Sequence, residues 1–136
     1  MNITIIIPVE DDELQHVPEC IDSCLDSINS IAEDNTYEII VMDNCSKSFF
    51  EISFNSKSVK YERLEQKVKF LELFEEAISK ALGTHFIFLS PKSRFMPQYL
   101  RYAIETMQEK GKNYFFHSFL NIERFVIPFL KGKNRL

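Results

Sequence analysis

Nowhere does the 136-residue chain offer the roughly 18 to 20 consecutive apolar residues that a helix needs to cross a bilayer. The run Ile3 to Ile7 is far shorter, and it lacks the basic start and small-residue cleavage site of a secretory signal. A cytosolic (cytoplasmic) location is therefore expected, with no transmembrane segment. A basic excess is missing too: the net charge is −4 and the isoelectric point near 5.4. That excludes a nucleic-acid binder, which needs a basic footprint to displace counterions from phosphates. It leaves open a small anionic ligand, which needs only a local site. There is no cysteine framework: the three cysteines are an odd count, as suits a reducing compartment. Cys20 and Cys24 share one face of an expected helix, where small core residues are the simpler reading than a redox or metal pair. His16, His85 and His117 show no zinc spacing, so no metal site is read from them. Tryptophan is absent while phenylalanine occurs thirteen times.

What is present is enough apolar material for one core. Hydrophobic residues make up 45% of the chain, and its length suits a single domain spanning 1–136. Ile3 to Pro8 is a dense β-branched run stopped by proline, which predicts a buried parallel strand. The acidic loop Glu10 to Glu13 follows. Pro18 opens a helix whose apolar face is Val17, Cys20, Ile21, Cys24, Leu25, Ile28 and Ile31. Asp34, Asn35 and Thr36 break it. Tyr37 to Met42 predicts a second strand, with a polar loop from Asp43 to Ser48 at its end. Phe49 to Ser58 shows no period and is read as loop with room for a short helix, and Ser58 to Arg63 as a third strand. Phe70, Leu71, Phe74, Ala77, Ile78, Ala81 and Leu82 mark a second helix, with Gly83 expected as its C-cap. Thr84 to Leu89 predicts another strand, and Ser90 to Phe95 a loop. Met96, Tyr99, Leu100, Ala103, Ile104 and Met107 predict a third helix, with Gly111 just past its end. Asn113 to Phe119 predicts a fifth strand. The tail from Leu120, interrupted by Pro128, is assigned no element.

Strands alternating with helices predict an α/β fold, a mostly parallel doubly wound sheet covered on both faces. In such sheets ligands bind beyond the C-terminal ends of the strands. Here that edge carries Pro8 to Asp12, Asp43 to Lys47, and Ser90 to Arg94.

Three stretches, in this order, resemble the family-2 glycosyltransferases of the GT-A (nucleotide-diphospho-sugar transferase) fold. ITIIIPVEDDE is similar to that family's opening strand ending in Pro-x-Tyr-Asn. YEIIVMDNCS is similar to Glu-Ile-Ile-Val-Val-Asp-Asp-x-Ser. EEAISKALGTHFIFLSPKSRFMPQYL resembles Asn-x-Gly-x-x-x-Ala-x-Gly, a strand, Asp-x-Asp-Asp, and a closing Pro-x-x-Leu. The resemblance covers about residues 2 to 105, and PECIDSCLDSI between the first two stretches has the family's look. It implies a site for a nucleotide sugar, in which Asp-x-Asp carboxylates hold a divalent cation against the diphosphate and stabilise the leaving group. A carboxylate from an acceptor-binding half would act as general base.

The departures fall on those functional positions. Glu10 and Asp11 stand for Tyr-Asn, Asn44 replaces the second aspartate expected to face the base, and Glu75 replaces the asparagine before the third motif. Ser90-Pro91-Lys92-Ser93 replaces Asp-x-Asp-Asp. A charged lysine has no acceptor lone pair and cannot coordinate a hard cation. The resemblance thus implies Pro8, Glu10, Asp43, Asn44 and Lys92 as nucleotide-binding positions, with no catalytic residue, no metal ligand and no cofactor. Each has an ordinary alternative: Asp43 as a turn cap, Glu10 to Glu13 as a solvated loop, Lys92 and Arg94 as solvent-facing residues of a retired site. Lys92 and Arg94 could instead place fixed positive charge beside a diphosphate without metal. The expected function is a glycosyltransferase-like domain of glycan or surface-polysaccharide synthesis with a degenerate active site, inactive alone because the acidic motif and the acceptor half are missing. The alternatives are a metal-independent transferase and a non-catalytic regulatory or interaction subunit. Tyr114, Phe115, Phe116 and Phe119 are expected in a core strand, not in a base-stacking platform. The tail's Leu120, Ile122, Phe125, Val126, Ile127, Phe129 and Leu130 exceed what a short end can bury against itself. The region from Tyr114 onward is therefore expected to meet a second copy, a homodimer being simplest, or a partner protein, the alternative being a tail that folds back over the sheet and satisfies itself.

Overall fold

The computed structural model describes residues 2–31, 35–47, 57–110, 116–117 and 124–127. Its strands are β1 (Asn2–Val9), β2 (Thr36–Asp43), β3 (Val59–Arg63), β4 (His85–Leu89), β5 (Phe116–His117) and β6 (Arg124–Ile127). Its helices are α1 (Val17–Ile28), preceded by a 3-10 turn at Leu14–His16, α2 (Phe70–Lys80) and α3 (Tyr99–Lys110). The sheet order is β3-β2-β1-β4-β6-β5. The first four strands are mutually parallel, and β6 joins β4 antiparallel, with β5 antiparallel at the edge. The three strands that read as unbroken apolar runs, β1, β2 and β4, are all interior, as burial on both faces requires.

The pleat sends alternate residues to opposite faces. Ile3, Ile5, Ile7 and Val9 of β1 pack with Ile39, Val41, Ile87 and Leu89 beneath α1 and α3. Ile6, Ile40, Met42, Phe86 and Phe88 form a second core beneath α2, through Leu73 and Ala77. Cys20 and Cys24 are buried in the first core, and burial, then the adjoining Cys20, pushes the Cys24 thiol well up. α1 also holds the start of α3: Ser27 Oγ accepts the Leu100 N–H at 3.0 Å, and Ser23 Oγ the Phe95 N–H at 3.1 Å.

Several expectations are corrected. The buried line of α2 runs through Leu73 and Ala77, whereas Phe70, Leu71 and Leu82 are exposed. Gly83 is not the C-cap of α2. That position is Ala81, in extended conformation, and Gly83 lies where the chain presses against β1. A Cβ there would come within 2.8 Å of the Thr4 nitrogen and 2.9 Å of the Ile3 carbonyl carbon. The approach serves a buried polar network. Thr4 Oγ1 accepts the Gly83 N–H at 3.0 Å and donates to Glu38 at 2.9 Å. Glu38 also accepts the Leu82 N–H and Lys60 Nζ. α3 begins at Tyr99 instead of Met96. The fifth strand is described only as Phe116–His117, and Arg124–Ile127, assigned no element from sequence, inserts between it and β4. Most of the expected loop Phe49 to Ser58 (residues 49–56), Gly111 and the remaining tail lie outside the described residues. Among the described residues no helix is long and apolar enough to cross a membrane.

Candidate functional site

The parallel strands bring three loops to one edge: Pro8 to Asp12 after β1, Asp43 to Lys47 after β2, and Ser90 to Arg94 after β4. Pro8, Glu10, Asp43, Asn44 and Lys92 all lie on this edge. The first four are gathered at the neighbouring ends of β1 and β2, where Pro8 pairs with Met42 and Val9 with Asp43.

Asp43 is fully buried and satisfied from within. The parallel register sets it opposite Arg63 at the end of β3. Its Oδ2 meets Arg63 Nη1 at 3.1 Å, the Tyr61 hydroxyl and the Ser46 hydroxyl at 3.0 Å, and its Oδ1 accepts the Ser46 N–H at 2.8 Å. Burial and the hydrogen bond to Asp43 push the Tyr61 phenol up to about 12. Desolvation would lower Arg63, but the Asp43 carboxylate and the Tyr61 hydroxyl together more than offset it and hold the guanidinium above its usual value. A second Arg63 nitrogen donates to the Ser46 carbonyl at 3.0 Å, closing the turn.

Asn44 is engaged on both sides of its amide. Its Nδ2 donates to Glu10 Oε1 at 2.8 Å and to the Val68 carbonyl at 2.9 Å, and its Oδ1 accepts the Val68 N–H at 2.9 Å. Asp11 completes the join: it accepts the Lys47 N–H at 2.8 Å and Lys67 Nζ at 2.6 Å. The Lys67 bond, then the Lys47 N–H, hold its carboxyl below the usual aspartate range. Asp12 and Cys45, one in each loop, have positive φ values of 67° and 51°, the left-handed region that costs a non-glycine residue backbone strain. Sequence reasoning missed the contribution of Tyr61, Arg63, Lys67 and Val68. The register of β3 on β2 brings Tyr61 and Arg63 here, the segment after β3 brings Lys67 and Val68, and no motif marks them.

The loop after β4 differs in kind. Ser93 N–H closes a turn onto the Ser90 carbonyl at 2.9 Å. Arg94 donates to the Pro91 and Ser93 carbonyls, each at 2.7 Å, and pairs with Glu19 of α1 at 3.0 Å. Lys92 is exposed, with no side-chain partner among the described residues. The loop offers hydroxyls, a proline and cations, so its donor set does not fit a divalent cation. Among the described residues no three His, Cys, Asp or Glu side chains gather as a metal site. A cavity of about 460 Å³ lined by Ser30, Ile31, Asn35, Arg101, Ile104, Glu105 and Gln108 opens near the C-terminal ends of α1 and α3, away from this edge.

The sequence model described as glycosyl transferase family 2 matches residues 4–132. No curated protein sequence matches significantly. Among solved structures, TarS 1–349 of S. aureus superposes with a TM-score of 0.64 at 18% identity, over 80% of this chain and 33% of that one. Its complex with UDP-GlcNAc gives 0.62 at 17%, over 80% and 32%. The mannosyltransferase PcManGT from Pyrobaculum calidifontis, in complex with GDP-Man and Mn2+, gives 0.61 at 13%, over 77% and 32%. The chain spans about a third of the length of each. At these identities the likeness establishes the fold, a mostly parallel GT-A sheet flanked by helices.

Proposed function

The chain belongs to glycosyl transferase family 2, and from that membership we propose a nucleotide-sugar-binding domain for glycan or surface-polysaccharide synthesis, cytoplasmic, without metal-dependent transfer of its own. One observation carries this reading: the loop after β4 presents Ser90, Pro91, Lys92 and Ser93 and no carboxylate. A divalent cation at a diphosphate serves to neutralise the charge that develops on the leaving group. Nothing in this loop can hold one. Structures of the same fold contain UDP-GlcNAc or GDP-Man, which supports a nucleotide sugar as the ligand class, and open α/β sheets bind ligands beyond the C-terminal ends of their strands.

The exposed ammonium of Lys92 favours a second reading, a transferase that meets the diphosphate with fixed charge. In that case Lys92 acts without Arg94, whose guanidinium is spent on two carbonyls and Glu19. The third reading is an interaction or regulatory subunit. The apolar sequence from Tyr114 onward would carry the contact with a second copy or a partner, in addition to the strand that 124–127 adds to the sheet.

The purified chain is expected to release no sugar from UDP-GlcNAc or GDP-mannose above background, with or without manganese. Transfer that disappears in Lys92→Ala establishes the fixed-charge reading instead. Manganese-dependent transfer removes the principal one. Sedimentation tests the partner region: a full chain that stays monomeric at high concentration, with no captured partner, contradicts it.

A further inference from the structure

The groups that a nucleoside would meet at the ends of β1 and β2 are bonded to one another. Asn44 spends both halves of its amide on Glu10 and the Val68 backbone. Asp11 joins the first loop to the second through Lys47 N–H and to the segment after β3 through Lys67. We propose that these contacts form an autoinhibitory latch, which ties the loops after β1 and β2 to the segment after β3 across the nucleoside end of the site and must open at Asp11 and Lys67 before a nucleotide can enter. The inference rests on the nucleotide-binding reading above.

The two halves of the latch differ in strength. Asn44 is buried and anchored to backbone, so it is the fixed side. Asp11 and Lys67 keep 27% and 48% of their side-chain surface exposed. An exposed ion pair is worth little, so this is the side able to give way. Its small worth also sets the size of the effect: removing it tightens nucleotide binding about two- to five-fold.

The test is calorimetric titration of UDP and GDP, without metal, into wild type, Asp11→Asn, Lys67→Gln and the double variant, each checked for an unchanged melting curve. The two single changes alter net charge in opposite directions. Were the effect only long-range attraction for an anion, Asp11→Asn would bind more tightly and Lys67→Gln more weakly. The latch requires both to bind more tightly, and the double variant to gain no more than either single, because all three break one contact. Opposite signs, or no change in variants that bind as wild type does, overturn the latch and leave nucleotide binding standing. No binding of UDP or GDP by any of the four proteins overturns both.

Discussion

Glu38 is an acid inside the sheet, only 6% exposed, and it is tolerated because three donors surround it. Burial alone would push its carboxyl up, but the Leu82 N–H, the Thr4 hydroxyl and Lys60 more than offset this and hold it below the usual glutamate value. A group depressed in the folded state stabilises above its unfolded pKa, and the contribution is lost as pH falls through the folded value. Glu38→Gln is therefore expected to lose about 1 to 3 kcal/mol at neutral pH and to show a flatter loss of stability below about pH 5 than wild type, read by urea unfolding across that range. At the other end of β2, Asp43 holds Tyr61 high. In Asp43→Asn the Tyr61 phenol is expected to fall from about 12, while burial keeps it above the free tyrosine value of roughly 10. A spectrophotometric titration that leaves it unmoved would contradict the contact.

Among the elements, the segment between α2 and β4 teaches most. A glycine just past a helical period reads as a C-cap, and the sequence offers no way to see that the chain here lies against Thr4 and Ile3, residues far away along it. Gly83→Ala sets a methyl against backbone that cannot step aside, and a cost of about 1 to 3 kcal/mol is expected, measured by thermal or chemical unfolding. A C-cap role alone would call for a left-handed glycine, which Gly83 is not. Ser27→Ala removes the hydroxyl through which α1 caps α3, at a cost of about 0.5 to 2 kcal/mol. The interior strands were legible because an apolar run such as Ile3 to Ile7 has no other stable home. The antiparallel insertion of 124–127 was not, because strand order is set by pairing over long separations and local pattern does not encode it. The proposed site divides along the same line: resemblance to family motifs points to Asp43, Asn44 and Lys92, whereas Arg63, set opposite Asp43 by the register of β3, and Lys67, just beyond β3, carry no sequence signal.

At the scale of the whole molecule, the sheet is that of the family, and the edge where its strands end carries the proposed site. The loop after β4 carries Lys92 and no carboxylate, the aspartate after β2 is paired with Arg63, and the neighbouring asparagine is tied to Glu10. An edge organised this way is expected to meet a nucleotide sugar with side chains and backbone and without a metal. Thermal shift of the purified chain against a panel of nucleotide sugars, with and without manganese, tests this most directly. The account predicts stabilisation by at least one nucleotide sugar that manganese leaves unchanged. Stabilisation that appears only with sub-millimolar manganese and is lost in Asp43→Ala would contradict it.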